Sequence, residues 1–444
     1  MPPQRDVRRD DRMNLFVGTV GVGNALAAWR SARTSPESAH KLDYFAEVAS
    51  IAESGRFDAV FVADFLALGP AAKYDVQERL DPVTLLASLA GRTRDIGLIG
   101  TSSTTYNDPY TIARQFATLD HLSDGRAGWN IVTTMVPAAA ANFGSRPHPE
   151  HDARYVVAEE FVDVVVKLWD SWDADAIIAD AQTGVYLDVD RVHRIAHEGE
   201  HFAVMGPLNI PRPPQGRPVL VQAGSSDAGM RLAARHAEVV FTTQYDLRAS
   251  QAFVVEMRNR VGAFGRDPAS VRILPGLAPI VGRTHAQARE LANEISGLTS
   301  PEAGFPLMTS IFGGLDLGEY ELDAPFPDIR ERLPANAPRS RAELFIRMAD
   351  DEDLTLRQVM QRIASSSGHR LVVGSPDEIA AEMITWFDEH AADGFNILPT
   401  DLPEGLRDFV EEVVPRLQHH GVFRSEYASG GLRETLGITK GSLA

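Results

Sequence analysis

Apolar runs of strand length alternate along the chain with longer segments of helical period. The runs are MNLFVGT from Met13, FDAVFVAD from Phe57, DIGLIGTSST from Asp95, AGWNIVTT from Ala127, PVLVQAG from Pro218, EVVFTT from Glu238, ILPGLAPIVG from Ile273 and GFNILPT from Gly394. This alternation is typical of repeated βα units around a parallel sheet. Eight strands with intervening helices favour a closed (β/α)8 barrel, or TIM barrel, over an open sheet.

The starts of several helices support this interpretation. Asp81-Pro82 and Asp108-Pro109 each place a capping carboxylate before a proline that suits the first helical position. Ser375-Pro376-Asp377-Glu378 has the pattern of a full capping box. Behind that box Ile379, Met383 and Phe387 recur at helical spacing, which gives the helix one face to bury against the barrel.

Two segments depart from the simple repeat. Residues from about 175 to 217 contain polar-apolar alternation and then the proline-rich NIPRPPQGRP, a pattern that predicts a hairpin and a crossing loop. Residues from about 283 to 370 begin with the helical AQARELANEI and continue through a long irregular stretch. We expect both to be insertions at the C-terminal face of the barrel, where insertions build the walls of active sites. No linker or repeat marks a second domain, so we treat residues 1–444 as one domain.

Composition narrows the possible partners and chemistry. The net charge of −18 disfavours nucleic acid and acidic lipid surfaces as partners, so we expect a small ligand. The chain has no cysteine, which excludes disulfides, thiolate metal sites and cysteine nucleophiles. The N-terminus MPPQRDVRRDDR is charged and resembles neither a signal peptide nor a membrane anchor. We therefore expect a soluble cytoplasmic enzyme.

Active sites of this fold lie at the C-terminal ends of the strands, so the residues that end each strand are the candidates. The second run ends in Asp64, the third in Thr104, and the fourth in Asn130 and Thr133. One carboxylate and several neutral hydrogen-bonding groups suit a polar heterocycle better than a metal. The alternative for Asp64 and for Thr104 is that each only caps the following helix.

A second group of residues suits a phosphate. Gly224, Ser225 and Ser226 directly precede a helical segment, and hydroxyls with free N–H groups at a helix start bind phosphate well. His151 and Tyr155 are four residues apart and would share one helical face. An ordinary helix cap and ordinary surface or core residues are the alternative interpretations.

Several common sites are absent from the sequence. The 13 histidines are scattered without an HExxH motif, so we predict no metal site. Neither a GxSxG elbow nor a Walker loop occurs, and no GxGxxG follows a strand, so we expect no independent binding of NADH.

Together these motifs resemble the bacterial luciferase-like flavin monooxygenases, in the branch of nitrilotriacetate monooxygenase component A, EDTA monooxygenase and dibenzothiophene-sulfone monooxygenase. The stretch DHLSDGRAGWNIVTT, Asp120 to Thr134, is similar to the signature of that branch. Other similar stretches follow in the same order, namely FDAVFVADF, DPVTLLASLAGRTRDIGLIGTSSTTYNDPYTIARQFATLDHLS, NFG, HDARYVVAEEF, RPVLVQAGSS, GSPDEIAAEM, ADGFNILP and LRDFVEEVVPRLQHHGVFRSEY. The resemblance covers most of the chain.

The resemblance implies a barrel, usually dimeric, that binds reduced FMN delivered by a separate NAD(P)H-dependent flavin reductase. It implies that O2 adds to the reduced flavin at C4a, and that the peroxyflavin oxygenates a small organic substrate in a shielded pocket. Asn130 and the threonines after it, Thr133 included, would then bond the edge of the flavin. Asp64 and Thr104 match positions that contact the ring system, and His151, Tyr155, Ser225 and Ser226 match those that hold the phosphate.

One departure from the branch concerns the substrate side. Much of the branch has roughly GHHxxAWR after the first strand, whereas this chain has GNALAAWR, with Asn24 and Ala25 in place of the histidines and with Trp29 and Arg30 retained. Asn24 and Trp29 are the expected pocket residues, and asparagine cannot exchange protons as histidine does. The alternative for Asn24 is that it only caps a turn. The catalytic acid or base and the substrate stay open, as do two other functions: a deazaflavin-dependent oxidoreductase and a flavin-binding protein without turnover.

Overall fold

The computed structural model describes residues 12–144, 147–334, 339–428 and 430–438, so the charged N-terminus up to residue 11 lies outside it. Eight parallel strands close into a barrel, which confirms the predicted fold and all eight predicted strands. They are β1 Asn14–Thr19, β2 Ala59–Val62, β3 Gly97–Ser103, β4 Ala127–Val132, β5 Val219–Ala223, β6 Val239–Thr242, β7 Arg272–Val281 and β8 Gly394–Ile397. Neighbours pair in chain order, and β8 closes the barrel between β7 and β1.

The helices surround this barrel and also build most of the second insertion. They are α1 Leu42–Ser54, α2 Pro82–Ala90, α3 Pro109–Leu122, α4 His151–Trp169, α5 Asp227–His236, α6 Leu247–Ala263, α7 His285–Gly297, α8 Pro301–Ile311, α9 Arg339–Asp351, α10 Leu356–Ser366, α11 Pro376–Asp388, α12 Glu404–Asp408, α13 Val414–His419 and α14 Leu432–Thr435. A π-helical turn, Phe409–Val413, joins α12 to α13. None of the helices in the described ranges has the length and apolar character needed to cross a bilayer.

The predicted helix caps are present. The Asp81 carboxylate accepts from the Thr84 N–H at 2.8 Å, and the Asp108 carboxylate accepts from the Tyr110 N–H at 2.9 Å. Ser375 forms the reciprocal capping box with Glu378, and the predicted face of α11 is buried. These caps fix where the helices begin relative to the strand ends below them.

Alternation along β4 explains how one strand serves both the core and the candidate site. Trp129 faces outward into the layer between barrel and helices, where its ring lies 6.4 Å from that of Trp169 at 89°. Its indole N–H donates to the Ser102 carbonyl at 3.1 Å. Successive side chains of a strand point to opposite faces, so Asn130 faces the barrel interior.

The first insertion contains the predicted hairpin, Ile177–Asp180 with Val185–Leu187, and a second one, His197–Glu198 with Ala203–Val204. It packs against the outer helices: the ring of Phe202 lies 5.5 Å from that of Phe161 in α4. This position differs from the expected one at the C-terminal face. The reason is topological, because the end of a barrel helix, where this insertion starts, lies at the opposite face.

The second insertion has a hydrophobic core of its own, formed mainly by α8, α9 and α10. It ends in a further strand, Arg370–Gly374, which was not predicted and which pairs in parallel with the last five residues of β7. It also reaches the loop after β1, because the Leu26 N–H donates to the Ala364 carbonyl at 2.7 Å. This insertion therefore borders the C-terminal face. The assignment of the whole chain to one domain stays a prediction.

Residues 422–428 and 430–438, here called the floor segment, cross the N-terminal face of the barrel. Leu432, Leu436 and Ile438 join the apolar cluster inside the barrel. Arg424 Nη2 lies 2.6 Å from the Asp58 carboxylate, and both side chains are buried. Because the floor segment fills this end of the barrel, the C-terminal end is the one where a ligand could bind.

Candidate functional site at the C-terminal end of the barrel

The inward-facing residues of the barrel become smaller toward the C-terminal ends of the strands. Phe16, Phe61, Val221 and Leu274 fill the middle of the barrel. Two residues further along each of these strands, at the next inward position, stand Gly18, Ala63, Ala223 and Gly276. The small residues admit neighbouring side chains above the apolar core: a β-carbon at Gly18 would lie 2.4 Å from Leu398 Cδ2, and one at Gly276 would lie 2.3 Å from His369 Nδ1.

Asn130 is buried, at 3% exposure, and its side chain faces the barrel interior. Its Nδ2 donates to Thr101 Oγ1 at 2.9 Å, across the pairing between β3 and β4. Its Oδ1 is buried and has no hydrogen-bond partner in the described part of the chain. An unpaired buried carbonyl is costly, so this oxygen is suited to a ligand N–H donor.

The predicted threonines lie together with Asn130 on this side of the barrel. Thr104 is buried, and its hydroxyl donates to the Val132 carbonyl at 3.3 Å. Thr133 is buried too, and its carbonyl accepts from Thr105 Oγ1 at 2.9 Å. Thr134, in the left-handed region with φ 46°, donates to Ser103 Oγ at 2.6 Å. These bonds join the loops after β3 and β4 into one wall.

Asp64 follows β2 and is half-buried at the same end of the barrel. Burial raises the pKa of its carboxyl, and the nearby Asp81 raises it further, while the Phe65 N–H and Arg79 act in the opposite direction. The helix-capping alternative fails for Asp64 and for Thr104, because Asp81 and Asp108 cap the two helices that follow.

The four residues predicted for a phosphate meet at the start of α5. Ser226 Oγ accepts from the Gly229 N–H at 3.2 Å, so this serine does cap the helix as the alternative interpretation held. A β-carbon at Gly229 would lie 3.1 Å from both Ser226 Oγ and the Tyr155 hydroxyl oxygen. The Tyr155 ring lies 5.0 Å from that of His151, and Ser225 is exposed beside them. Hydroxyls, an imidazole and helix N–H groups thus converge, which suits an anion.

The residues expected on the substrate side lie in the loop after β1. The Asn24 N–H donates to the Pro399 carbonyl at 2.8 Å, and its side-chain Nδ2 is buried with no partner within the described ranges. Trp29 is 38% exposed, and its indole N–H donates to the Tyr74 carbonyl at 2.7 Å. Asn24 and Trp29 therefore connect this loop to β8 and to the loop after β2, respectively.

Sequence reasoning missed a polar chain next to the phosphate-binding candidates. The Tyr106 hydroxyl lies 2.8 Å from His148 Nδ1, and Arg154 Nη1 lies 2.9 Å from His148 Nε2. Arg154 is 9% exposed, its Nε has no partner, and no carboxylate pairs with it among the residues that the structure describes. No spacing pattern marks these three residues, because they come from two different loops and a helix. Arg154 places a buried cation one position from Tyr155.

Within the described ranges, no group of three or more histidine, aspartate or glutamate side chains is arranged to hold a metal ion. The polar atoms of the site are instead mostly amide, hydroxyl and imidazole groups, together with the Asp64 carboxylate and the nearby Arg154 guanidinium. This donor set and the unpaired Asn130 oxygen fit a flat heterocycle that carries a phosphate.

Comparisons with known proteins agree with the resemblance. The family model for luciferase-like monooxygenases matches residues 24–393. N-acetyl-S-(2-succino)cysteine monooxygenase of Bacillus subtilis is 44% identical over 429 residues, with 97% of each chain covered. Nitrilotriacetate monooxygenase component A of Aminobacter aminovorans is 45% identical over 443 residues, again with 97% of each covered.

A solved structure extends the similarity to a flavin complex. Riboflavin lyase with modified FMN and riboflavin superposes with a TM-score of 0.86 at 33% identity, covering 97% of this chain and 96% of the other. The relatives in these comparisons that are named as monooxygenases support the same class of enzyme here. The chain belongs to the luciferase-like monooxygenase family.

Proposed function

We propose that this protein is the oxygenase component of a two-component FMN-dependent monooxygenase. It would bind reduced FMN made by a separate NAD(P)H-dependent flavin reductase, and it would use O2 to oxygenate a small organic substrate. Reduced FMN supplies the two electrons for oxygen activation. We also propose that the protein is a homodimer or higher homo-oligomer and is cytoplasmic, as the resemblance to the luciferase-like monooxygenases implies.

The proposal rests on two groups of polar atoms, associated with adjacent strands, that are both suited to bind a ligand. The unpaired Asn130 oxygen lies in β4, where Asn130 is in register with Val221 of β5. Ser226 stands five residues after Val221, at the start of α5. Its hydroxyl and that of Tyr155 in α4 both lie near Gly229. A ligand with a polar flat ring and a phosphate at the end of a flexible chain satisfies both features, and FMN has this form.

Each site residue then has a defined task. Asn130 and Thr133 would bond the polar edge of the flavin, and Asp64 and Thr104 would contact the ring system. Ser225, Ser226, Tyr155 and His151 would hold the phosphate, with Arg154 as a nearby positive charge. Asn24 and Trp29 would face the substrate. The buried, mostly neutral walls would exclude water from a bound flavin, which favours transfer of oxygen to the substrate over loss as peroxide.

The test is to measure which flavin binds and what becomes of O2. Purified protein is titrated with FMN, riboflavin and an 8-hydroxy-5-deazaflavin. It is then supplied with an FMN reductase, NADH and ¹⁸O2, with N-acetyl-S-(2-succino)cysteine and nitrilotriacetate as probe substrates. FMN binding with ¹⁸O in a product supports the proposal. Preferred binding of the deazaflavin supports the oxidoreductase alternative, and FMN binding with peroxide as the sole product across a broad compound set supports a flavin-binding protein without turnover.

A further inference from the structure

His369 lies at the mouth of the barrel although no motif marks it. It belongs to the turn between α10 and the strand Arg370–Gly374. Its ring stacks on Phe241 of β6, with 5.2 Å between ring centroids and an interplanar angle of 20°. Its Nδ1 is 3.5 Å from Thr243 Oγ1, directly after that strand. The second insertion therefore places an imidazole on top of the apolar core, at the level expected for the ligand.

The barrel wall is shaped around this ring. A β-carbon at Gly276 of β7 would lie 2.3 Å from His369 Nδ1, so any larger residue there would displace the imidazole. Gly276 is in register with Asn396 of β8, which is 1% exposed. Both amide atoms of Asn396 lack a hydrogen-bond partner in the part of the chain that the structure describes. A buried amide left unpaired beside His369 indicates that this part of the mouth also receives a ligand.

The turn that carries His369 also contacts the Asn24 loop. Ser367, at φ 51°, ends α10 in the left-handed conformation, and its hydroxyl donates to the Asn24 carbonyl at 3.5 Å. His369 and Asn24 thus border the same side of the pocket. Imidazole changes charge in the neutral pH range and asparagine does not, so His369 can exchange protons where Asn24 cannot.

Several charged groups around the turn that carries His369 have partners. Arg370 is paired with Glu382, Arg362 with Glu352 at 2.7 Å, and the Tyr245 hydroxyl donates to the Asp351 carboxylate at 3.0 Å. A cavity of about 40 Å³ borders His369 and is lined by Tyr245, Glu352, Arg362 and Ser366, among others. This volume is enough for water beside the imidazole on the insertion side.

We propose that His369 is the catalytic acid of the pocket, an inference that rests on the proposed function. With reduced FMN bound as its monoanion, the balance is substrate + O2 + FMNH⁻ + H⁺ → oxygenated substrate + FMN + H2O. One proton per turnover therefore has to come from solvent. The imidazolium of His369 gives its proton to the oxygen atom that leaves as water: an N–H bond breaks, an O–H bond forms, and the neutral imidazole is reprotonated through the cavity.

The variants separate proton transfer from packing. His369→Gln keeps a polar side chain but cannot titrate, and His121→Gln is the matched control, because His121 lies at the far end of α3 and contacts the Pro211 carbonyl at 3.1 Å. Affinity for oxidised FMN is measured first by fluorescence quenching. We expect His369→Gln to bind FMN within about twofold of the unchanged protein. Failure of the unchanged protein to bind FMN would count against the proposed function rather than against His369.

Turnover is then followed from pH 5.5 to 9 with the two probe substrates, and product and peroxide are measured separately. For a general acid we expect product formation in His369→Gln to fall about 100-fold, with O2 consumption diverted to peroxide. The bend of the rate profile in the histidine range should disappear, whereas His121→Gln should retain it. A variant that keeps both the rate and the bend would overturn the assignment.

If neither probe substrate is turned over, a measurement without substrate tests whether His369 lies in the flavin pocket. In protein labelled with ¹³C-histidine, the His369 signal is the one missing from His369→Gln. Adding oxidised FMN should shift this signal through the ring current of the flavin and alter its titration, while the His121 signal should stay unchanged. If FMN binds and the His369 signal does not respond, the residue is not in the pocket and the proposal is wrong.

Discussion

Asn130 Nδ2 lies 2.9 Å from Thr101 Oγ1, and in this arrangement the amide oxygen is the end left for a ligand. With the nitrogen held by β3, the oxygen is the free atom, and it can accept but not donate. A ligand at this position must therefore offer an N–H or O–H group. Thr101 thus orients the Asn130 amide so that its oxygen can accept a hydrogen bond from the ligand.

Thr101→Val should weaken FMN binding although Thr101 is not among the residues proposed to contact the flavin. The substitution preserves shape but leaves the Asn130 nitrogen buried and unpaired, at a cost of about 1 to 3 kcal/mol in unfolding free energy. The amide is then free to turn, so we expect FMN affinity to fall several-fold. Urea unfolding and FMN titration measure the two effects. The control is Thr93→Val, which removes an acceptor 2.8 Å from Arg126 Nη1, away from the site, and should lower stability alone.

Tyr155→Phe and Ser225→Ala should reduce FMN affinity but hardly affect riboflavin, which lacks the phosphate. A hydrogen bond to a charged phosphate contributes on the order of 1.5 to 3 kcal/mol, so each loss should weaken FMN binding roughly tenfold or more. Tyr110→Phe is the matched control, because its hydroxyl bonds Asn209 at 3.3 Å on the exposed side of α3. Equal losses for both flavins would remove the phosphate assignment.

The purified chain should not oxidise NADH on its own in the presence of FMN. No dinucleotide fingerprint follows any predicted strand, so hydride transfer must take place on another protein. Adding an unrelated FMN reductase should start NADH consumption, followed by the loss of NADH absorbance. Rapid consumption without the reductase would contradict the two-component proposal.

Asn24→Ala and Asn24→Asp should change coupling rather than flavin affinity. The buried Asn24 Nδ2 lacks a partner in the described ranges, so truncation removes a donor from the pocket, and aspartate adds a charge there. We expect both variants to release more peroxide per NADH consumed. Unchanged coupling and unchanged substrate affinity in both variants would place Asn24 outside the pocket.

The loop after β2 should give the protein a pH-dependent stability through Asp75. Burial raises the pKa of this carboxyl to about 6 from an ordinary value of 3.8, while the nearby Arg79 and Gln77 act in the opposite direction. The folded state therefore binds this proton more tightly than the unfolded state, and stability is lost as pH rises from about 4 to 6. One pKa unit corresponds to about 1.4 kcal/mol, and partial exposure reduces the effect, so we expect a loss of about 1 to 2 kcal/mol.

Asp75→Asn removes this titration. The variant should match the unchanged protein below about pH 4 and should be more stable at pH 8, as measured by urea unfolding at both pH values. Asp388→Asn, at an exposed position in α11, is the control and should behave alike at both. A variant that is less stable at pH 8 would show that the Asp75 charge is favourable in the fold.

The barrel strands were predictable because they are buried on both faces and form continuous apolar runs. The caps at Asp81, Asp108 and Ser375 were predictable because capping acts over three or four residues. Asn130 was found because the end of a barrel strand has a known direction. In each case the signal is local in the chain, or it follows from the topology of the fold.

The parts that sequence reasoning missed depend on contacts between distant segments. His369 reaches Phe241 and Gly276 only through the packing of the second insertion, and no periodicity encodes that approach. The strand Arg370–Gly374 is short and mostly half-buried, unlike the fully buried barrel strands. The sequence RLVVG alone therefore did not predict its pairing with β7. The first insertion was misplaced because composition predicts a hairpin but not the face on which it lies.

The floor segment has a consequence for biosynthesis. Asp58 at the start of β2 meets Arg424, which is 366 residues later in the chain. While the ribosome is still elongating the polypeptide, the lower end of the nascent barrel therefore stays open and its apolar interior is uncovered. Contacts of such long range form late and slowly, and exposed interiors attract chaperones or aggregate. Newly made chains should become resistant to protease only after residues near 438 have left the exit tunnel.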